Sequence, residues 1–439
     1  MQRRLRAELS RHPRAVSAGV VGGAVVLLAV AVGLAIAVFA ARPTGDDPAV
    51  PSASARASTS PMYEASPSST PGTSTTPTSS LSPTPMPAAG WTPVEIAGVP
   101  WVIGIAEHDG RLVAIGREGI DSGAAVLAYS DDGVIWTPVD TANLGLEDGS
   151  LFIIASGEPG FIALGGRLAA DYSVEDLYFF SADGRDWQQA TPPEHCAAGY
   201  GPRAVGSGFI SFGELCVSDG LPPPGPTRVV TSTDGRSWTS RLDAEMSSGP
   251  WTTDGQRIVM LVGAGAEGRP DVAISDDIAN TWRQIPDAFP AGVSVYNVAF
   301  GHDRYVADAS WLIRPGDPDG AVCVSDTGET WTCEVFSSVT SAPEDLRAVG
   351  SVTSTSTGFA SLAFVFDDQF APSGSTMILG TSTDGLAWTF APVPAMKDAL
   401  IGGFVGTSHG VFAWGSTYHG GDGSVPQEPY VLVHLAPLL

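Results

Sequence analysis

Basic residues are scarce in this sequence. Its 439 residues hold 22 Lys and Arg against 47 Asp and Glu, for a formal net charge of −25. Lys397 is the only lysine, and the segment ahead of Trp91 is mildly positive, so the remainder is more acidic still. Binding a phosphate backbone needs clustered Lys and Arg, so no nucleic-acid partner is expected. Cysteine is sparse as well: four in all, none near the N-terminal apolar run and none in a C-x-x-C pair. The first absence excludes a lipid-modified cysteine anchor. The second, with no histidine at ligand spacing, leaves no metal and no cofactor to expect. The third shortage is local. Between Arg42 and Gly90 there is hardly an apolar side chain, so that stretch cannot bury enough surface to offset its ordering entropy.

At the N-terminus, Arg3, Arg4, Arg6, Arg11 and Arg14 precede an uncharged, apolar run over 15–41. At about 1.5 Å per residue such a helix spans roughly 40 Å, enough for a hydrocarbon core of about 30 Å. The positive-inside bias makes 1–14 a cytoplasmic tail and 15–41 a transmembrane helix, with the rest outside the cell membrane. A cleaved signal peptide is the alternative, with small residues around Val38-Phe39-Ala40, but its apolar core is usually about 7–15 residues. Residues 42–90, rich in Ser, Thr, Pro and Ala, read as a disordered stalk averaging on the order of 40 Å if flexible. Stalks of this composition outside a membrane are often O-glycosylated.

Beyond the stalk the chain repeats itself. Ser-x-Asp-Gly-x-x-Trp occurs at Ser130–Trp136, Ser181–Trp187, Ser232–Trp238 and Ser382–Trp388. A looser copy at Ser275–Trp282 is one residue longer with Ala279 in the glycine slot, and one at Ser325–Trp331 has its aspartate shifted to Asp326. Asp-Gly between two β-rich runs predicts a tight hairpin, because glycine takes positive φ without steric cost. Asp132, Asp183, Asp234, Asp277 and Asp384 are therefore expected to cap turns by accepting backbone N–H bonds. The tryptophans supply buried area in a small module. A second phrase, typified by Gly110-Arg111-Leu112-Val113-Ala114-Ile115-Gly116, occurs in seven copies at spacings of about fifty residues.

Each second phrase follows another apolar strand, so the unit has four strands, A to D, with the Asp-Gly turn joining C to D. The last unit ends after Tyr430–His434 with no D strand, while Gly90-Trp91-Thr92-Pro93-Val94 copies Trp136-Thr137-Pro138-Val139. Trp91, Trp136, Trp187, Trp238, Trp282, Trp331 and Trp388 then mark seven D strands. The expected fold over 91–439 is an all-β, seven-bladed β-propeller whose last blade is completed by the N-terminal strand. Radial closure of this kind leaves few exposed sheet edges.

The Ser-x-Asp-Gly-x-x-Trp phrase resembles the Asp-box, or bacterial neuraminidase repeat, of sialidases and other β-propellers, including those similar to photosystem assembly factors. Only the Ser275 copy has the usual Asp-box length. In that family the box is structural and lies away from the active site, which assigns these aspartates no catalytic role.

Outside a membrane, four cysteines predict two disulfides. Cys323 and Cys333 are equidistant from Gly328, so hairpin register sets them opposite one another. Cys196 and Cys216 fall on two loops of one propeller face, and the expected pairs are Cys196–Cys216 and Cys323–Cys333. Metal ligation is the alternative. The B–C loops are the long, individual ones, and functional side chains tend to sit on variable loops over a rigid frame. Their candidate binding residues are Tyr172, Trp311, Arg314, Asp367, Asp368, Phe370, Tyr418 and His419.

Two functions follow from these readings. The first is a membrane-anchored, extracytoplasmic binding or scaffold module for an envelope glycan or protein, with a monomeric propeller. The second, implied by the resemblance, is a sialidase-like exo-glycoside hydrolase. Those enzymes use an arginine triad, a Tyr–Glu pair and an acid/base Asp on a six-bladed ring. Here Ile313-Arg314-Pro315 only faintly resembles their Arg-Ile-Pro signature, and Arg203, Arg347 and Tyr296 are placed on or at the start of inner strands without any sequence link between them.

Overall fold

A computed structural model describes residues 90–436 apart from 120–123, 169–173, 193–199, 214–226, 244–248, 265–269, 315–316, 337–345, 367–374, 394–395, 397–398 and 418–429. The expected transmembrane segment, stalk and Cys196–Cys216 pair lie outside the described residues. Among those described, no helix is long and apolar enough to cross a membrane.

The described strands form seven four-stranded antiparallel sheets. Six take their strands in chain order, within 101–138, 149–189, 200–243, 251–285, 293–335 and 346–392. The seventh sets Trp91–Pro93 outside Tyr430–Leu435, beside Gly410–Thr417 and Ala399–Thr407. Trp91 pairs with Leu435, Thr92 with His434 and Pro93 with Val433. The ring is thus closed by the N-terminal strand, and the fold is a seven-bladed β-propeller.

Alternation along each strand gives every sheet two apolar faces, and each is covered by a neighbouring blade. Separate buried clusters fill the junctions around the ring. Ile115, Leu127, Leu151 and Phe179 join the first two blades, and Ala360, Leu379, Val411 and Val433 join the last two. Trp136, Phe412 and Leu432 seal the junction between first and last blades. Much of the buried apolar surface therefore lies between neighbouring blades.

The disulfide Cys323–Cys333 joins directly opposed residues of strands C and D in the fifth blade, with Cα atoms 4.0 Å apart. Register shifts also recur in the inner strands. They occur between Val102 and Gly104, Leu151 and Ile153, Val295 and Asn297, Val349 and Ser351, and Ile401 and Gly403. In each the inner strand carries one extra residue against its partner. Bulges of this kind bend a strand and re-aim its side chains, here around the central channel.

Candidate functional site

The two ends of the ring are built differently. One end carries the A–B turns and the Ser-x-Asp-Gly turns. In the first of these, Ser130 Oγ accepts from Gly133 N at 2.9 Å, while Asp132 Oδ1 accepts from Val134 N and Ile135 N at 2.8 and 2.7 Å. The pattern repeats at Asp183, Asp234 and Asp384. In the longer copy Asp277 Oδ1 accepts from Thr281 N at 2.8 Å. Backbone N–H donors lead in holding Asp132, Asp234 and Asp277 below the usual carboxylate range. At Asp183 and Asp384 burial pushes upward, yet similar donors prevail and the shift is again downward. The indole Nε1 of Trp187, Trp238, Trp331 and Trp388 donates to the carbonyl of its own turn glycine. These carboxylates are engaged by their own turns.

Asp326 does something else. Its carboxylate meets Arg304 Nε at 2.9 Å, while Arg304 Nη1 donates to the Asp384 carbonyl on the next blade. Arg111 bridges Asp131 and the Asp183 carbonyl in the same way, and Arg257 bridges Asp276 and the Thr327 carbonyl. The aspartate after the turn serine is thus an inter-blade tie. Thr327 occupies the cap position, where its Oγ1 accepts from Glu329 N at 3.3 Å.

Through the ring runs a channel of about 800 Å³ lined by the inner strands of all seven blades. Much of its wall is small or neutral: Ala106, Ala155, Thr252, Ala299, Ser351, Thr353 and Gly406 among others. Among the described residues, two charged ones line it. Glu107 contributes a carboxylate that accepts from Ser408 N at 2.6 Å and from the Ser408 hydroxyl.

The other charged lining residue is Arg203, on the inner strand of the third blade just after a register shift. It is exposed to channel solvent, and its guanidinium carbon lies 5.5 Å from the ring centroid of buried Trp251. The surrounding walls push its pKa down to about 10, which leaves it cationic at neutral pH. Tyr296, the extra residue of the fifth-blade bulge, is 47% exposed and its hydroxyl lies 2.7 Å from Ser310 Oγ. Asn297 beside it donates to Ser351 Oγ at 2.8 Å.

Of the loop candidates, Trp311 and Arg314 fall on the second strand of the fifth blade. Trp311 packs on its own blade and donates from Nε1 to the Ala291 carbonyl at 3.0 Å. Tyr172, Asp367, Asp368, Phe370, Tyr418 and His419 lie outside the described residues. Arg203 on the third blade and Tyr296 and Asn297 on the fifth all line the described channel wall, and no sequence motif had singled out Asn297.

No family model and no curated protein matches the sequence. Among solved structures, the chain is similar to the β-propeller domain of the Trilobed protease from Pyrococcus furiosus. The identity there is 12%, the TM-score 0.47, and the match covers 72% of this chain and 89% of that one. It is also similar to a GH74 xyloglucanase from Xanthomonas campestris, at 16% identity and TM-score 0.43, over 78% of this chain and 55% of that one. A phage phi92 endosialidase matches at 9% identity and TM-score 0.39, over 80% of this chain and 69% of that one. The chain therefore spans just over half the length of the xyloglucanase.

Proposed function

We propose that the protein is a binding or scaffold module of the Asp-box kind, held outside the cell membrane by residues 15–41 and presenting its channel to an envelope ligand. The composition of the channel wall carries this reading. Most glycoside hydrolases need two carboxylates, about 5–9 Å apart, at the scissile bond. The described lining has a single carboxylate, Glu107, and it is engaged by Ser408. A wide opening in a rigid ring, with a few polar groups on a largely neutral wall, suits recognition of a ligand more than its cleavage.

The test is a screen of the purified chain against cell-envelope glycans, with crosslinking to envelope proteins in intact cells. Retention of a glycan, or one dominant crosslinked protein, without product release supports the reading. Released sugar at a steady rate would overturn it in favour of a sialidase-like hydrolase. For the anchor, the intact protein is expected in the membrane pellet, with the propeller open to protease added outside.

A further inference from the structure

The junction between the fifth and sixth blades buries polar groups that it does not pair. Asp308 is directly opposed to Asn297 on the first two strands of the fifth blade, and Ser361 to Val352 on those of the sixth. Asn297 Nδ2 donates across the junction to Ser351 Oγ at 2.8 Å and to the Val352 carbonyl at 3.2 Å. Phe359 and Ala363, two positions either side of Ser361, pack in the cluster between these blades, so Ser361 shares their face. Asp308 and Ser361 are each 1% exposed, and neither the Asp308 carboxylate nor Ser361 Oγ makes a hydrogen bond of ordinary geometry.

This carboxyl lies one strand behind the channel. Asn297, Ser351 and Val352 line the channel wall, and the inner strand carries its extra residue, Tyr296, beside Asn297. A bulge interrupts the hydrogen-bonded ladder, so the strand is held less firmly there. Burial is the main reason that the Asp308 pKa rises to about 8, and no charged neighbour contributes. Other titratable groups on the packed strands are engaged elsewhere. Tyr296 bonds Ser310, Tyr305 bonds Asp254, Arg304 meets Asp326, and Cys323 is in its disulfide. Glu334, in the same row on the outer strand, is exposed. Arg314, Asp317, Asp319 and Arg347 lie on these strands with side chains outside the described residues.

A neutral carboxyl tolerates such a site, whereas an ionised one without partners is costly to keep there. Moving Asn297 off Ser351 and Val352 would admit channel water to the carboxylate. We infer that the junction between the fifth and sixth blades is a pH-operated seam in the channel wall, closed while Asp308 holds its proton and opening toward the channel when that proton leaves. This goes beyond the binding reading and holds whatever the channel binds. An open, hydrated carboxyl ionises near the ordinary 3.8, and the closed one near about 8. Opening therefore releases a proton between these values, and its equilibrium constant rises by up to about tenfold per pH unit, levelling off above 8.

Hydrogen exchange of the full-length protein from pH 5 to 9, corrected for the intrinsic pH dependence of amide exchange, tests this. Protection of Val293–Gly301 and Leu346–Thr355 is expected to fall by about threefold or more per pH unit up to pH 8, then to level off. At pH 8 both strands are expected to exchange faster than Gly208–Gly213 of the third blade, and independently of low urea, because a local opening exposes little surface. Asp308→Asn keeps the shape without the ionisation and is expected to abolish the fall. Asp308→Leu does the same with an apolar side chain and serves if the amide variant does not fold.

A flat profile in the parent would overturn the inference. So would exchange at the two strands that matches Gly208–Gly213 in rate and urea dependence, since the opening would then be global unfolding. A fall that persists in either variant overturns it as well, because another group would be titrating. None of these outcomes bears on ligand capture, which tests the binding reading separately.

Discussion

Asp308 shows how much one residue can disturb a repeated frame. It pairs with Asn297 on one side and Val322 on the other, on the face of the fifth blade turned toward the sixth. Matching the register of each blade, the same position holds Ile115, Leu164, Phe212, Leu261, Leu362 and Trp414, all buried. Asp308 is equally buried, neither of its carboxylate oxygens makes a hydrogen bond of ordinary geometry, and the nearby N–H groups of Asp308 and Asn297 only partly offset the burial. Burial pushes its pKa up to about 8 from an ordinary 3.8. A raised carboxyl pKa means that the folded state binds the proton more tightly than the unfolded chain does. Its contribution is therefore fully present below about pH 4 and is lost as pH rises through about 8. The turn aspartates act in the opposite sense, since lowered pKa values cost stability as pH falls below the unfolded value of 3.8. Stability of the parent is expected to peak in mildly acid solution and decline toward pH 8. Asp308→Leu is expected to raise the unfolding free energy by on the order of a few kcal/mol at pH 8, and to flatten that decline. Urea melts of parent and variant from pH 4 to 9 decide this. Parallel pH profiles would show that the carboxyl is hydrated in solution.

The elements explain why so much of the frame is legible before any coordinates. A hairpin is specified within seven residues, and each of its bonds runs from Ser130 or Asp132 to a neighbour two or three positions on. Such local rules recur wherever the phrase recurs. The backbone confirms them, with φ near 73° at Gly133 and 70° at Gly235. In the longer copy Ile278 and Ala279 take φ of 57° and 62°, which a side chain tolerates only with strain. Asp234→Ala removes the acceptor for Arg236 N and Ser237 N, and is expected to cost about 1 kcal/mol, the usual loss for a backbone cap. Replacing Cys323 and Cys333 together by alanine is expected to cost about 2–3 kcal/mol, as for a loop of about ten residues. Both are read as shifts in the chemical-denaturation midpoint at pH 7. What was not legible depends on neighbours distant in sequence. The bulges add a residue without breaking the apolar pattern. Arg203 reads as an inner-strand residue, yet only the fold places it on the channel wall beside the Trp251 ring. The tie between Arg304 and the Asp384 carbonyl spans 80 residues, beyond any spacing rule.

At the scale of the whole molecule, closure is the weakest link in a strong ring. The Thr92–His434 contact joins residues 342 positions apart. Bringing ends together over that length costs about 5 kcal/mol of chain entropy, by the logarithmic loop law. Opposing this cost are the short strand, with three paired residues, the Val94 N to Leu432 O bond at 3.0 Å and the half-buried Trp91 ring, and the Trp136–Phe412–Leu432 cluster between the first and last blades. The A–B turns add Ser408 on Glu107 and His409 on the Gly110 carbonyl. A ring closed in this way is expected to open locally before any blade unfolds, because its other junctions join blades contiguous in the chain. Val94→Pro removes the donor to Leu432, together with a part-buried side chain that packs at the edge of the Trp136–Phe412–Leu432 cluster. In this variant, hydrogen exchange is expected to quicken at 431–435 and in Gly410–Thr417, both in the seventh blade. Gly208–Gly213 of the third blade is expected to keep the protection of the parent. Equal loss across all seven blades would mean that closure and blade folding are one cooperative event. No change at 431–435 would mean that the N-terminal strand does not hold the seam at all.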